Sequence, residues 1–218
     1  MHPAPSIILF TVLSGFGFGL ISILGVLQFL NAISVFDLII FSILGVVFST
    51  IGLMSSFFHL ANKKNAIKSL SQWQTSWLSR EAIASIFCLS LVLGNIGWGF
   101  FQNMYIKEVG LLLFFLSLFT VFTTAMIYAQ LKTVPSWNNI LTPAIFIFAA
   151  LTGGSILLTN YACLVTLLVF GTLQILFWYI ADQGFEKKET SVGTALGFGT
   201  NEEIRSFDAA HTNRNYLL

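Results

Sequence analysis

Ser55-Ser-Phe-Phe-His-Leu-Ala-Asn-Lys-Lys-Asn-Ala-Ile-Lys-Ser-Leu-Ser-Gln-Trp-Gln-Thr-Ser-Trp-Leu-Ser-Arg-Glu81 is the longest polar interruption between two apolar runs. His59 stands at the end of one run, and Arg80 and Glu81 stand at the start of the next. Lys63, Lys64, Lys68, Trp73 and Trp77 lie between them. Ionisable side chains and tryptophans gather at the water–lipid boundary, where an amphipathic side chain meets the head groups. The stretch therefore reads as a loop at one membrane face that joins two spanning helices. Chemistry on an amphiphilic substrate would take place at the same level.

The composition agrees. Hydrophobic residues make up 56% of the 218-residue chain and charged residues 9%, with a mean hydropathy of +0.85. A soluble domain carries about 25% charged residues. So few charges cannot cover a water-facing surface, and membrane lipid must solvate most of the chain. A net charge of +1 without a dense basic tract argues against a nucleic-acid partner. Cys88 and Cys163 lie inside apolar runs without metal-ligand spacing. They read as small hydrophobes, with a disulfide or metal role as the alternative. Met1-His2-Pro3-Ala4-Pro5 places no basic residue before the first apolar run, which reads as a retained helix and not a cleaved signal.

A helix that crosses the hydrocarbon needs about 20 mostly apolar residues. Six runs approach that length: about 6–30, 37–60, 79–101, 109–131, 140–158 and 162–181. The expected fold is all-α, a polytopic membrane helix bundle over residues 1–181, with a polar C-terminal tail over 182–218. Six spans place both termini on one face. Nine of the ten basic residues fall on that face, and only Lys107 falls opposite. Taken alone, the charge bias makes the His59 face cytoplasmic. Gly15 and Gly19 have the small-xxx-small spacing that lets a neighbouring backbone approach. The string Gly15-Phe-Gly-Phe-Gly19 lacks the preceding strand that a nucleotide-binding loop needs.

The chemistry-bearing residues have a plain reading and a functional one. His59 either bonds a loop carbonyl or accepts a proton from a ligand at the membrane edge, since imidazole titrates near pH ~6.5. Glu81 either complements the dipole of a helix capped by Ser79, at the water line, or acts as a second proton acceptor facing His59. Lys63, Lys64, Lys68 and Arg80 anchor head groups or dock an acidic partner. Trp73, Trp77 and Trp137 form an interfacial belt or flank a quinone ring. Asp37 reads as a cap of the second span and Asn95 as an interhelical hydrogen bonder. The few intramembrane charges count against an ion-coupled transporter. A membrane b-type haem commonly takes two axial histidines, and among His2, His59 and His211 only His59 belongs to a span. No haem and no metal site is expected.

Four stretches then carry a family resemblance. They are Met1-His-Pro-Ala-Pro-Ser6 with Phe10-Thr-Val-Leu-Ser-Gly15; Ser56-Phe-Phe-His-Leu60 with Ala66-Ile-Lys-Ser-Leu-Ser-Gln-Trp73 and Ser76-Trp-Leu-Ser-Arg-Glu81; Lys132-Thr-Val-Pro-Ser-Trp137 with Thr142-Pro143; and His211-Thr-Asn-Arg-Asn-Tyr-Leu-Leu218. On these the chain resembles the membrane anchor subunits of dimethyl sulfoxide reductase, the DmsC-like molybdoenzyme anchors. The resemblance implies a three-subunit enzyme: a molybdopterin catalytic subunit, an iron–sulfur electron-transfer subunit, and an anchor that binds and oxidises menaquinol without haem. It places His59 and Glu81 on positions linked to quinol oxidation. A quinol-binding set of His59, Lys63, Lys64, Asn65, Arg80 and Glu81 follows, with Asn65 where the family pattern expects an arginine. Family members have about eight spans, so the chain reads as a short form. The resemblance also implies a bacterial inner-membrane protein whose His59 face is periplasmic, opposite to the charge count. The alternatives are a structural anchor without quinol oxidation and a small multispanning transporter.

Overall fold

The computed structural model describes residues 5–57, 70–131, 136–158 and 161–187. The described residues form six α-helices and one 3-10 turn, and no strand. The helices are α1 (Pro5–Phe29), α2 (Val35–Phe57), α3 (Trp77–Gln102), α4 (Lys107–Ala129), α5 (Thr142–Ile156) and α6 (Tyr161–Lys187), and the turn is Leu70–Gln72. Five of the helices are long and apolar enough to cross a membrane, and α5 is a shorter apolar helix. The expected membrane helix bundle is what forms. His59, Lys63, Lys64, Asn65 and Lys68 lie outside the described residues, as do the 132–135 link and the chain beyond Lys187.

Helix α1 is the central element. Residues 17–25 are buried on every side, which is what a helix without a polar face requires. It packs against α2, α4 and α5; α3 packs on α4 and α2, and α6 on α5. Phe18, Ile21, Cys88, Val92, Leu113, Val121 and Ala150 bring α1, α3, α4 and α5 into one apolar core. Glycines allow the close approach of α1 to α4 and α5. A Cβ on Gly25 would strike the Gly110 carbonyl of α4, and one on Gly154 of α5 would strike the Gly19–Leu20 backbone of α1. Gly15 departs from expectation, since nothing lies within 4 Å of the place its Cβ would take. Its partner in the motif, Gly19, is the one that meets a helix, at Ala150.

Helix ends follow local chemistry. Asn31 (φ 53°) and Asn103 (φ 50°) adopt the left-handed conformation that closes α1 and α3, a role asparagine tolerates better than most residues. Ser34 precedes α2: its Oγ accepts the Asp37 N–H at 3.1 Å and donates to Asp37 Oδ2 at 2.7 Å. Asp37 thus serves the start of α2 from its first turn, and Ser34, not Asp37, supplies the capping oxygen.

Long-range hydrogen bonds pin the helices in antiparallel order. Ser55 Oγ at the end of α2 donates to the Ser6 carbonyl at the start of α1 (2.8 Å). Thr124 at the end of α4 meets Glu81 at the start of α3. Gln28 at the end of α1 reaches Ile106 just before α4, and Tyr105 Oη donates to the Ile33 carbonyl. The starts of α1 and α3 and the ends of α2 and α4 therefore share one end of the bundle. Helix α6 continues to Lys187, so the polar segment expected from Asp182 begins within a helix.

Candidate functional site

The site begins with the cap of α3. Ser76 is extended (φ −113°, ψ 120°), and its Oγ accepts the Ser79 N–H at 3.4 Å. Ser76 is the N-cap, not Ser79, because the helix starts two residues earlier than the apolar run alone suggests. That offset has a consequence: Ser79 lies inside the helix and is buried, and Glu81 sits in the second turn. Glu81 is only 2% exposed, so it does not stand at the water line.

The buried face of α3 carries Glu81, Ser85, Cys88, Val92, Asn95 and Gly99. This is a seam repeating every three or four residues, as one face of a helix must. Glu81 lies at its start and Asn95 near its end, with the apolar pair Cys88 and Val92 between them. Across from Glu81, helix α4 presents Thr124, whose hydroxyl donates to Glu81 Oε1 at 2.6 Å. Tyr128 lies one turn further along α4. Its ring meets Trp137 edge-on at 5.4 Å and Phe146 at 5.3 Å. Among the described residues, the ion pair is Lys107–Glu108 at the other end, at 4.0 Å and exposed, and Glu81 has no cationic partner.

Arg80 is adjacent in sequence but differently employed. Its Nε donates to the Trp73 carbonyl at 2.8 Å and its Nη2 to the Gln74 carbonyl at 2.7 Å. The guanidinium lies 4.2 Å from the centre of the Trp77 ring, a cation–π contact. Arg80 thus ties residues 73–77 to the start of α3. Trp73 and Trp137 are exposed at this end, as a belt residue should be.

The other end of the seam holds a second polar cluster. Gln28 Nε2 donates to Asn95 Oδ1 at 3.2 Å, and Asn95 Nδ2 donates to Gln28 Oε1 at 2.9 Å. Gln28 Nε2 also donates to the Ile106 carbonyl at 2.8 Å. Asn95 is the interhelical bonder its sequence position suggests. Gln28 was not legible beside it, because a glutamine three residues before the loop looks like ordinary interfacial polarity.

Two cavities open on the bundle. One of about 310 Å3 is lined by Met126, Ala129, Asn138, Asn139, Ile140 and Pro143. The other, about 240 Å3, is lined by residues of α3 and α4 around Asn95 and Trp98. Glu81 lines neither. Its described partner is Thr124, across the α3–α4 interface. Of the quinol-binding set expected from sequence, Arg80 and Glu81 are described, on adjacent positions with different partners; His59, Lys63, Lys64 and Asn65 lie outside the described residues. Thr124 and Tyr128 were missed, since nothing in an apolar run marks which threonine will face a carboxylate.

Chemically, the Glu81–Thr124 pair is a carboxyl buried inside the helix bundle with one described hydrogen-bond partner. Such a group can hold or surrender a proton, which the carboxamide pair at the other end cannot. A family model described as DMSO reductase anchor subunit (DmsC) matches residues 1–218. A sulfite dehydrogenase subunit of Allochromatium vinosum is 33% identical over 181 residues, covering 74% of this chain and 56% of its own length. The chain therefore spans little more than half the length of that relative. No solved structure matches the chain.

Proposed function

Because the chain belongs to the dimethyl sulfoxide reductase anchor subunit family, we propose that it is the membrane anchor of a molybdoenzyme complex and oxidises menaquinol at the Glu81 end of its bundle. The observation that carries the site is the buried Glu81 carboxyl, bonded by Thr124, at the end where α2 finishes. His59 follows Phe57, the last residue of α2, by two positions. An ionisable group inside a membrane bundle is a functional hypothesis by default, because its burial is costly.

In this reading menaquinol enters sideways from the lipid. Oxidation to menaquinone releases two protons and two electrons. His59 accepts or orients one hydroxyl proton, and Glu81 takes the other. The electrons pass to an iron–sulfur subunit docked on the loop face and from there to a molybdopterin subunit. Those cofactors belong to the partners; this chain supplies the proton acceptors and the membrane hold. Lys63, Lys64, Asn65 and Arg80 complete the quinol-binding set, with Arg80 acting through the loop that it ties down. The complex sits in the bacterial inner membrane with this face periplasmic, its basic residues held for partner docking.

Co-purification tests the anchor role. The tagged subunit, drawn gently from its native host after anaerobic growth, is expected to bring molybdenum, iron and two further chains. Recovery alone and metal-free would overturn it. The site is tested by His59→Ala, expected to lose menaquinol oxidation while still inserting into the membrane. Normal turnover in that variant would sink the site assignment.

A further inference from the structure

Thr124 offers one proton to two acceptors. Its Oγ1 lies 2.6 Å from Glu81 Oε1 and 3.1 Å from the Thr120 carbonyl oxygen. A threonine hydroxyl donates once and accepts through its lone pairs. When Glu81 is a carboxylate, the hydroxyl turns to it, because an O–H bond to a charged oxygen is the shorter and stronger one. When Glu81 carries a proton, the acid donates to Oγ1, and the freed hydroxyl turns to the Thr120 carbonyl. That second arrangement is the ordinary back-bond of a helical threonine. Both states keep the Glu81–Thr124 hydrogen bond and give the Thr124 hydroxyl an acceptor. Passage between them needs rotation about one bond and no backbone movement.

The other described serine and threonine hydroxyls of α4 behave differently. Ser117, Thr120 and Thr123 donate to carbonyls of their own helix. Thr124 alone among them reaches a second helix. We infer that Thr124 is a positioning residue for Glu81, a hydroxyl rotor that lets this carboxyl gain and release a proton inside the bundle without repacking. The inference rests on the reading of Glu81 as a proton acceptor. The described charged or titratable groups around Glu81 are Arg80 on its own helix, bonded to loop carbonyls, and Tyr128 on α4. Helix α2 has its one described acid, Asp37, at the opposite end, and the Leu70–Gln72 turn has no titratable group.

Infrared spectra of the purified complex in lipid, recorded across pH, give a direct readout. The Glu81 carboxyl band is the one missing in Glu81→Gln. In wild type it should have the frequency of an acid that donates a hydrogen bond. In Thr124→Val, which keeps the shape and loses the hydroxyl, the band should rise to that of an unbonded acid and its titration midpoint should shift. Thr124→Ser, which restores the hydroxyl, should return both. An unmoved band and midpoint in Thr124→Val overturns the rotor. Quinol turnover on the same samples is expected to fall about tenfold or more in Thr124→Val, with KM little changed, and to recover in Thr124→Ser. A band that moves while turnover stays intact upholds the rotor and overturns instead the reading of Glu81 as the quinol's proton acceptor.

Discussion

Two polar clusters are buried on the same face of α3, at positions 81 and 95, and they are built to opposite specifications. The Gln28–Asn95 pair is neutral and reciprocal: each carboxamide donates to the other, and a spare N–H of Gln28 is taken up by the Ile106 carbonyl. It joins α1, α3 and the start of α4, and it has no proton to exchange. The Glu81–Thr124 pair is a single bond between a carboxyl and a hydroxyl with a second acceptor in reach. The first cluster uses its hydrogen-bonding capacity to hold helices together. The second retains a choice. In a bilayer, where polar groups have no water to fall back on, saturation of the partners separates a lock from a working group.

The sharpest way to break this comparison is to make the two ends alike. Glu81→Gln turns the carboxyl into a carboxamide that still accepts from Thr124. Menaquinol-dependent turnover is expected to fall about 100-fold or more, the scale of lost acid–base catalysis, while thermal unfolding of the complex hardly moves. Turnover near wild type would erase the functional half of the contrast. Asn95→Leu should do the reverse. It strands the Gln28 amide and is expected to cost roughly 1–3 kcal/mol in a reversible unfolding titration, with turnover retained. The double variant Gln28→Leu/Asn95→Leu should cost less than either single change, and additive costs would show that the pair is not a unit. The smallest effect is expected at Ser85, one turn from Glu81, whose buried Oγ has no hydrogen-bond partner among the described residues. Ser85→Ala should change stability by less than about 1 kcal/mol, towards greater stability. A large loss would mean that this hydroxyl supports the Glu81 cluster.

Much of the architecture was legible before any coordinates, because a scarcity of charges and runs of about 20 apolar residues leave few alternatives to a membrane bundle. Asn95 was legible as well, since an amide in mid-span must find a partner. The depth of Glu81 was not. Ser79 and Ser76 are both competent caps, and choosing between them decides whether Glu81 meets water or the interior. The actual choice goes with the loop: Arg80, lying over Trp77, binds the 73 and 74 carbonyls, and Ser76 is left at the helix start. Thr124 was illegible for a different reason. Helical threonines normally satisfy themselves on their own backbone, so a sequence gives no sign of the one that does otherwise. The small-residue motif was half legible, because spacing alone does not say which of Gly15 and Gly19 meets a neighbour.

Helix α5 has a consequence for the lipid around the protein. Its 15 residues span about 22 Å at 1.5 Å per residue, against a hydrocarbon layer of about 30 Å. The close contact of Gly154 with Gly19 and Leu20 holds α5 against α1, so it cannot slide to share the shortfall between its ends. A lipid layer beside α5 would have to thin to match its length, at the end that Asn138 and Asn139 precede. Each ångström of mismatch costs a fraction of a kcal/mol. A bilayer of shorter acyl chains would relieve that elastic load, and one of longer chains would press on the flank where α4 and α5 meet.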